Sequence, residues 1–587
     1  MALVALLEAA GAGSVLPFIQ LATDPSVIHS NSVLAWVYVG LGFSSDTQFI
    51  VFAAIIVLLV IVAAHLALGL SQWFQVRFVW DLVHNLSVRL MRGYSRKPYT
   101  FFLERNSAEL NRNVVVEMTR LSNGVYQPAL QIVSRMVIGV TLVAVLLVVQ
   151  PLLTLLLASV IGLPYIVISM LAKSHLRRTG EETTSANKER VKSSSELFGA
   201  IKEAQLRGNA DYFLGRFNKA SIVYSRNNKS QLTIAQMPAR AIFPLAFAGI
   251  IGLFIVLLLT GEPLRAIIPV IGFLAYAGSR LNPAFSGLYG ALSTYRYHQN
   301  LVGVLGKELR DADQKGPTEF TEPMEQAALR FESEIRLDNV SFRYPGNREM
   351  VLKDISIAIP KNSSVALVGS TGGGKTTTLD VVLGLLTPTN GDVLVDGVKV
   401  QGSNMSSWQA KIGYVPQEIF LSDDTIRRNI VFGVPDQDIN EEAVVRAAEM
   451  ARIHEFISKD LPLGYNTLVG ERGVRLSGGQ RQRIGIARAL YWDPELLVFD
   501  EATSDIDNVT EAMISQAISQ LSGRKTLLFV AHRLSTVRNF DLLYMMDKGT
   551  VVASGTYGAL LKDSLPFRML VEGIADASNE AQGSSTS

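Results

Sequence analysis

The sequence contains apolar stretches that are long enough to cross a lipid bilayer. The clearest is 49–70, whose only polar side chain is His65 and whose length spans a hydrocarbon core of ~30 Å at 1.5 Å per residue. With comparable stretches it predicts six membrane spans: 1–22, 49–70, 129–149, 152–172, 241–260 and 264–290. A cleaved signal peptide is the competing interpretation of the first stretch, but the basic residues that begin such a peptide are missing from it. A polytopic helical membrane domain is therefore predicted.

Lysine and arginine are distributed unevenly among the connections between these spans. The connection 22–47 contains neither residue, whereas the two long connections after spans two and four are rich in both. Basic loops stay in the cytoplasm, so both ends of the six-span block face that side. Apolar residues recur at three- and four-residue spacing in 78–90 and 197–224, which predicts helices that continue from the membrane into the cytoplasm. The net charge of +2 gives no reason to expect a nucleic-acid partner.

The second half of the sequence has a different periodicity. From about Ile335, short β-branched runs alternate with helical stretches, as in an α/β domain with a largely parallel sheet. The predicted fold class is a helical membrane domain of six transmembrane helices fused to an α/β P-loop ATPase domain. The predicted segments are a membrane domain with long cytoplasmic extensions at 1–315, a linker at 316–334, the ATPase domain at 335–574 and a disordered tail at 575–587. Cysteine is absent, which excludes thiol chemistry and disulfides.

A phosphate-binding loop follows the apolar strand 364–368. The sequence from Gly369 to Thr376 fits G-x-x-x-x-G-K-[ST] and is followed by a helical stretch, as that motif requires. Its backbone N–H groups can wrap phosphate oxygens, Lys375 can neutralise β/γ charge, and the Thr376 hydroxyl can bind Mg²⁺. A chance glycine-rich turn is the alternative. The predicted ATP-binding residues here are Gly369, Ser370, Thr371, Gly372, Gly373, Gly374, Lys375, Thr376 and Thr377.

Three further residues at strand ends suit the hydrolysis of a nucleoside triphosphate. Asp500 and Glu501 end the apolar strand 496–499, where an acid can hold Mg²⁺ and the next carboxylate can act as the base toward water. An acidic helix cap is the alternative for either residue alone. His532 follows the strand region 527–531, from which it can reach a γ-phosphate, although a lone histidine is more often structural.

The segment 476–480, Leu-Ser-Gly-Gly-Gln, opens a helix and forms a second anion site. Together with the phosphate loop it resembles the ATP-binding cassette (ABC) family, with the other motifs in the family's order. The resemblance implies that Tyr344 stacks on adenine and that Gln417 takes part in catalysis and in Mg²⁺ binding with Thr376 and Asp500. It also implies ATP contacts from the signature residues Ser477, Gly478, Gly479 and Gln480.

The resemblance to ABC proteins extends to the six spans and implies a half-transporter with the type IV exporter fold. In such proteins two cassettes dimerise head to tail, so the predicted partner is a second copy of the chain, and the cofactors are ATP and Mg²⁺. Short coupling helices are expected at 96–106 and 207–217. A basic face that binds anionic lipid is the alternative for these segments.

Ionisable residues at membrane depth are the candidates for substrate binding. They are Arg280, Arg240 and Arg135, with Glu8 and His65 behind them. Guanidinium groups suit a diphosphate head group, although Arg135 and Arg240 have the alternative of extending to the interface. The external segment 31–43 is apolar and predicts a surface helix or a packed loop.

The segments 16–25, 31–43 and 413–424 resemble bacterial flippases of lipid-linked oligosaccharides. This implies an amphiphilic lipid-linked substrate and a multi-pass protein of the bacterial inner membrane with a cytoplasmic ATPase domain. Export of a lipid A precursor, a hydrophobic drug or a peptide is the alternative, and a nucleotide-regulated channel or a scaffold is a third.

Overall fold

The computed structural model describes residues 2–261, 264–313, 329–501, 516, 518–531 and 533–572. The chain divides into two compact units. The helical unit comprises Met1–Ser95 and Arg105–Gln314, and the α/β unit comprises Arg96–Glu104 and Lys315–Ser587. A short stretch between the second and third predicted spans therefore groups with the ATPase half of the sequence.

The described part of the helical unit has no strands. Its α-helices are α1 Ala2–Thr23, α2 Val27–Ser30, α3 Ser32–Gly40, α4 Asp46–Ser95, α6 Ser107–Arg112, α7 Met118–Leu121, α8 Gln127–Val149, α9 Pro151–Gly199, α10 Ile201–Arg207, α11 Ala210–Leu259, α12 Leu264–His298 and α13 Asn300–Asp313, with α5 Tyr99–Glu104 in the α/β unit. Two π-helical turns, Asn113–Glu117 and Ser122–Tyr126, join α6, α7 and α8.

Five helical segments are long and apolar enough to cross a membrane within the described residues. They are Val4–Thr23, Asp46–Ser95, Ser107–Val148, Pro151–Gly199 and Ala210–Leu259. The sixth predicted span is also helical, as part of the 35-residue helix α12. Its sequence contains Arg280, Asn282 and the internal prolines Pro269 and Pro283.

The helical unit buries some apolar side chains between helices and exposes many others. Leu146, Ile161, Ile250 and Phe273 form part of a core shared by α8, α9, α11 and α12. Large apolar residues such as Leu58 of α4 are exposed, as expected of helices surrounded by lipid tails. The predicted helical architecture of this half of the chain is confirmed.

Helices α9 and α12 approach each other closely at a glycine. A Cβ atom built on Gly180 would lie 1.9 Å from the carbonyl oxygen of Tyr297, so no side chain fits at this position. The contact therefore fixes the separation of the two helices in the extensions beyond the membrane.

We expect Gly180→Ala to lower the free energy of unfolding by about 1–3 kcal/mol, because the added methyl group must displace a backbone carbonyl. Thermal unfolding of the purified protein in detergent measures this loss. Gly199→Ala is the matched control, since no heavy atom lies within 4 Å of the Cβ position there. Equal stability of the two variants would contradict the tight packing.

The segment 31–43, predicted to be external, contains a helix, α3. Asn31 caps α3 by accepting hydrogen bonds from the backbone N–H groups of Val33 and Leu34. The inner face of α3 packs on Phe49 and its apolar neighbours, whereas Trp36 on the other face is 76% exposed. This geometry agrees with the predicted surface helix.

The two long connections that the sequence predicts to be cytoplasmic are interrupted by the short helices α5 and α10. Helix α5 lies inside the predicted coupling segment 96–106. Helix α10 ends where the second predicted segment, 207–217, begins, and residues from Ala210 onward belong to α11. The prediction for 207–217 was therefore placed too late in the chain. The break comes at Gly208, whose left-handed conformation (φ 63°) ends α10.

The α/β unit contains ten described strands in two sheets. The strands are β1 Glu334–Phe342, β2 Leu352–Pro360, β3 Ser364–Gly369, β4 Asn390–Val395, β5 Val398–Lys399, β6 Ile412–Val415, β7 Leu496–Asp500, β8 Thr526–Val530, β9 Leu542–Asp547 and β10 Thr550–Gly555. The smaller sheet is antiparallel with order β2-β1-β4-β5. The larger has order β10-β9-β3-β8-β7-β6, in which only the β9–β10 pair is antiparallel.

Apolar layers cover both faces of the larger sheet. Along β3, Val365 and Leu367 face one core, whereas Ala366 and Val368 face the other. Burial on both faces explains why these strands are continuous apolar runs rather than alternating ones. Among the described residues, the α-helices of this unit beyond α5 include α14 Lys375–Val382, α15 Gly402–Gln409, α16 Ile426–Ile430, α17 Glu441–Met450, α18 Gly478–Leu490 and α19 Tyr557–Asp563.

Candidate active site

The phosphate loop lies between the end of β3 and the start of α14. Gly369, Gly372 and Gly374 all have positive φ, and a Cβ at Gly369 would lie 2.0 Å from the carbonyl oxygen of Met546. Only glycine satisfies both the backbone conformation and this close approach. The loop therefore holds its N–H groups at the N-terminus of α14, as a phosphate site requires. The other predicted loop residues, Ser370, Thr371 and Gly373, lie in the same turn.

Lys375 is buried at the first position of α14, with 5% of its surface exposed. Its ammonium group donates hydrogen bonds of 2.9 Å to the carbonyl oxygens of Gly369 and Ser370. Burial lowers the pKa of Lys375, while the charges of Glu501 and Asp500 act in the opposite direction. The cation is thus held over the loop, near the two acids of the site.

The two threonines after Lys375 point in different directions. Thr376 is exposed, whereas Thr377 is buried and its hydroxyl oxygen lies 3.2 Å from that of Tyr344. Tyr344 also contacts Phe342 edge to face, with ring centroids 5.0 Å apart. Tyr344 therefore contacts the N-terminal end of α14, which the phosphate loop precedes.

Asp500 and Glu501 lie at the carboxyl end of β7, in the same sheet as the phosphate loop. Strand β8 pairs with both β3 and β7 in parallel, so these strand ends share one edge. The Gln417 amide nitrogen donates a 2.8 Å hydrogen bond to the Glu501 carboxylate. Glu501 also has a positive φ of 47°, which is unusual for a non-glycine residue and typical of functional sites.

Two residues that sequence reasoning missed lie close to this centre. Burial and the charge of Asp500 raise the pKa of Asp380 to about 6. Tyr99 of α5 lies close enough for Asp380, Tyr344 and Asp500 to raise its pKa further, after burial as the main cause. A carboxylate on the apolar face of the helix after the phosphate loop is a signal that could have identified Asp380. The sequence has no comparable signal for Tyr99.

The signature segment forms the N-terminus of α18. Ser477 accepts a hydrogen bond from the Gln480 backbone N–H, and the Gln480 side chain accepts one from the Ser477 N–H, at 3.3 and 2.8 Å. Ser477 and Gly478 are exposed, whereas Gly479 is buried. This cap fixes the helix terminus while leaving its first residues accessible. His532, the remaining predicted catalytic residue, lies outside the described residues.

Comparisons with known proteins agree with these motifs. A family model described as "ABC transporter" matches residues 352–504, and one described as "ABC transporter transmembrane region" matches residues 28–264. An ATP-dependent lipid A-core flippase of Chromohalobacter salexigens is 32% identical over 492 residues, which are 82% of this chain and 81% of the relative. The chain belongs to the ABC exporters. It is accordingly a multi-pass membrane protein and an ATP-driven transporter.

Two further proteins resemble this ABC exporter. A Staphylococcus aureus protein, provisionally named as a multidrug export ATP-binding/permease protein, is 43% identical over 227 residues, only 39% of each chain. The solved structure of a bacterial Atm1-family ABC exporter with ATP bound has a TM-score of 0.76. The match covers 97% of this chain and 98% of the solved chain at 24% sequence identity, so it indicates that the two proteins share a fold.

The predicted substrate residues of this exporter lie in the helical unit. Arg280 is partly buried and interacts with Glu8, His65 and Tyr276. Arg135 is exposed and packs against α12 at Gly287, where a Cβ would lie 3.0 Å from its Nε atom. Arg240 is exposed on α11. Arg280 is therefore part of α12 and Arg135 contacts that helix, whereas Arg240 is part of α11.

Proposed function

We propose that this ABC exporter works as a homodimer with two equivalent ATP sites. Each site combines the phosphate loop of one chain with the signature segment of its partner. One observation supports this arrangement: Ser477 and Gly478 are exposed at a capped helix terminus, ready to contact an anion supplied from outside the chain. In this arrangement Tyr344 stacks on adenine, Lys375 binds the β- and γ-phosphates, and Glu501 activates water, with His532 near the γ-phosphate.

The donor set at the site suits Mg²⁺. Thr376 is an exposed residue with a hydroxyl group, and Asp500 supplies carboxylate oxygens. Gln417 directs its nitrogen to Glu501, which leaves the Gln417 carbonyl oxygen for another partner. Hard oxygen ligands of this kind, completed by phosphates and water, are those that Mg²⁺ prefers. When bound, the ion would neutralise charge that develops on the phosphates.

We propose that the transported substrate is a polyprenyl-diphosphate-linked oligosaccharide or a similar anionic glycolipid, moved from the inner to the outer leaflet of a bacterial inner membrane. The observation that carries this proposal is the charge on one face of α12. Arg280 and the Arg135 contact at Gly287 are seven residues apart, about 10 Å along the helix and nearly in line. Two guanidinium groups at this spacing suit a phosphorylated head group rather than a neutral lipid.

Two alternatives have specific support. A phosphorylated lipid A-type glycolipid would use the same arginines, and the relative from C. salexigens is named for such a substrate. Export of a hydrophobic drug agrees with the S. aureus relative over its matched segment. The cytoplasmic placement of the ATPase half rests on the basic connections of the sequence.

Reconstitution into proteoliposomes tests the proposed function. We expect a fluorescent polyprenyl-diphosphate-linked oligosaccharide to change leaflet only when ATP is hydrolysed, and Arg280→Ala to slow this movement by about tenfold or more, since a bidentate charged contact is lost. Arg77→Ala is the control, because Arg77 is an exposed arginine of α4 with a nearby acidic partner in Asp81.

The outcome separates the candidate functions. Movement without hydrolysis would favour a channel or scaffold, and equal transport of a neutral drug would favour the drug exporter. Unchanged flipping by Arg280→Ala would remove Arg280 from the substrate site.

A further inference from the structure

Four polar residues from three helices meet within the predicted membrane region of the helical unit. Glu8 lies on α1, His65 on α4, and Tyr276 and Arg280 on α12. The Arg280 Nη1 atom is 3.7 Å from the Glu8 carboxylate and 3.3 Å from His65 Nε2, and its Nε atom is 3.3 Å from the Tyr276 hydroxyl. The guanidinium carbon also lies 5.3 Å from the centre of the Tyr276 ring.

The histidine in this group is an acceptor toward Arg280. Its Nδ1 atom lies 2.8 Å from the carbonyl oxygen of Ile61, so Nδ1 carries the proton and donates to that oxygen. The Nε2 atom then has a lone pair directed at Arg280. His65 and Tyr276 therefore contribute neutral contacts, and Glu8 is the anion that the structure records beside this guanidinium.

The ion pair between Glu8 and Arg280 is loose. Glu8 is only 8% exposed, and its Oε1 atom has no hydrogen-bond partner among the described residues. Its distance of 3.7 Å from the Arg280 Nη1 atom is longer than that of a strong charge-assisted hydrogen bond, which is roughly 2.7–2.9 Å. A buried carboxylate held so incompletely is costly, and a costly intramembrane charge usually has a functional reason.

We infer that Glu8 is an internal counter-ion that competes with the head group of the substrate for Arg280, an inference that rests on the proposed function. A diphosphate offers several oxygens in a geometry that guanidinium binds bidentately, whereas Glu8 reaches Arg280 through one loose contact. The head group therefore displaces Glu8. Glu8 therefore opposes the binding of anionic amphiphiles and leaves the binding of neutral ones unaffected, so it limits how strongly Arg280 favours an anionic head group.

Displacement also affects the contact between helices. Helix α1 packs against α12, and Gly11, one turn after Glu8, lies within 4.0 Å of the Tyr276 hydroxyl when a Cβ is placed on it. A head group bound to Arg280 would bring a second negative charge next to Glu8, and like charges at low dielectric repel strongly. Binding of the substrate thus weakens the α1–α12 contact, which is a direct way to signal occupancy to the rest of the transporter.

The test uses the ATPase activity of the purified full-length protein, with farnesyl diphosphate as the anionic probe and farnesol as the neutral probe of equal chain length. We expect Glu8→Gln to lower the half-saturating concentration of farnesyl diphosphate by about fivefold or more, and to leave that of farnesol unchanged. For Glu8→Asp, whose carboxylate is on a shorter side chain, the half-saturating concentration of farnesyl diphosphate should lie between those of the wild type and Glu8→Gln. This second variant also serves if Glu8→Gln fails to fold. Farnesyl monophosphate distinguishes a diphosphate head group from a phosphate monoester.

Controls separate this inference from a structural role. Asp46→Asn neutralises an acid that pairs with His29 at the external end of α4, and it should shift neither probe. An unchanged or increased half-saturating concentration of farnesyl diphosphate in Glu8→Gln would overturn the inference, as would an equal shift for farnesol. A wild-type protein that responds to no anionic probe would instead overturn the proposed function, and this inference with it.

Discussion

Replacing Glu501 with glutamine is expected to reduce ATP hydrolysis by about 10²–10⁴-fold while leaving ATP binding intact. The amide keeps the size of the side chain but cannot accept the proton of the attacking water. Lys375 and the glycines of the phosphate loop, which bind the nucleotide, are unchanged. Phosphate release measures hydrolysis, and equilibrium binding of a fluorescent ATP analogue measures affinity in the same preparation.

Glu455→Gln is the matched control for this experiment. Glu455 is an exposed acid of the same unit whose partner is Lys459, and its loss should leave both measurements near the wild-type values. Hydrolysis at the wild-type rate by Glu501→Gln would show that another group activates the water. Transport at the full rate by the same variant would contradict ATP-driven export altogether.

Lys375→Ala is expected to weaken ATP binding itself by about 100-fold. Lys375 is buried within the phosphate loop, and its charge-assisted hydrogen bonds to phosphate oxygens contribute about 1.5–3 kcal/mol each. Because the cation is lost, both affinity and hydrolysis fall, unlike the pattern expected for Glu501→Gln. Titration with the fluorescent ATP analogue provides the measurement.

An exposed lysine provides the comparison for this second variant. Lys459→Ala removes the same charge from a surface position, where screening leaves it little influence on the site. Thermal unfolding without nucleotide checks that Lys375→Ala remains folded. Normal affinity in a folded Lys375→Ala protein would show that backbone N–H groups alone hold the phosphates.

Much of the active site could be predicted because its residues are close in sequence or follow fixed strand ends. The phosphate loop needs only a strand, glycines and a helix start, and all three are visible along one short segment. The hydrogen bond between Gln417 and Glu501 joins residues 84 positions apart. Glu501 was predicted from its place at a strand end, whereas only the family resemblance placed Gln417 at the site. The proximity of Tyr99 to Asp380 depends on tertiary structure, so no local pattern could indicate it.

The membrane half was less predictable for a related reason. Long apolar runs predict helices well, because a single segment in lipid can satisfy its backbone hydrogen bonds only by forming a helix. They say little about which polar side chains meet inside the bundle. Arg280, Glu8 and His65 were each noticed as polar residues in apolar surroundings, but their association required the packing of α1, α4 and α12. The second coupling segment was predicted too late in the chain, at 207–217, because Gly208 and Asn209 break the helix between two similar basic stretches.

The modest apolarity of α12 has a consequence for the biogenesis of the protein. An arginine near the centre of a helix opposes its insertion from the translocon by about 2.5 kcal/mol or more, and the prolines add to this. The helices that pack most extensively on α12 are α1, α8, α9 and α11, all made earlier during synthesis. Helix α12 is therefore expected to enter the membrane by joining a bundle that is already there, so that its integration depends on partners rather than on its own sequence.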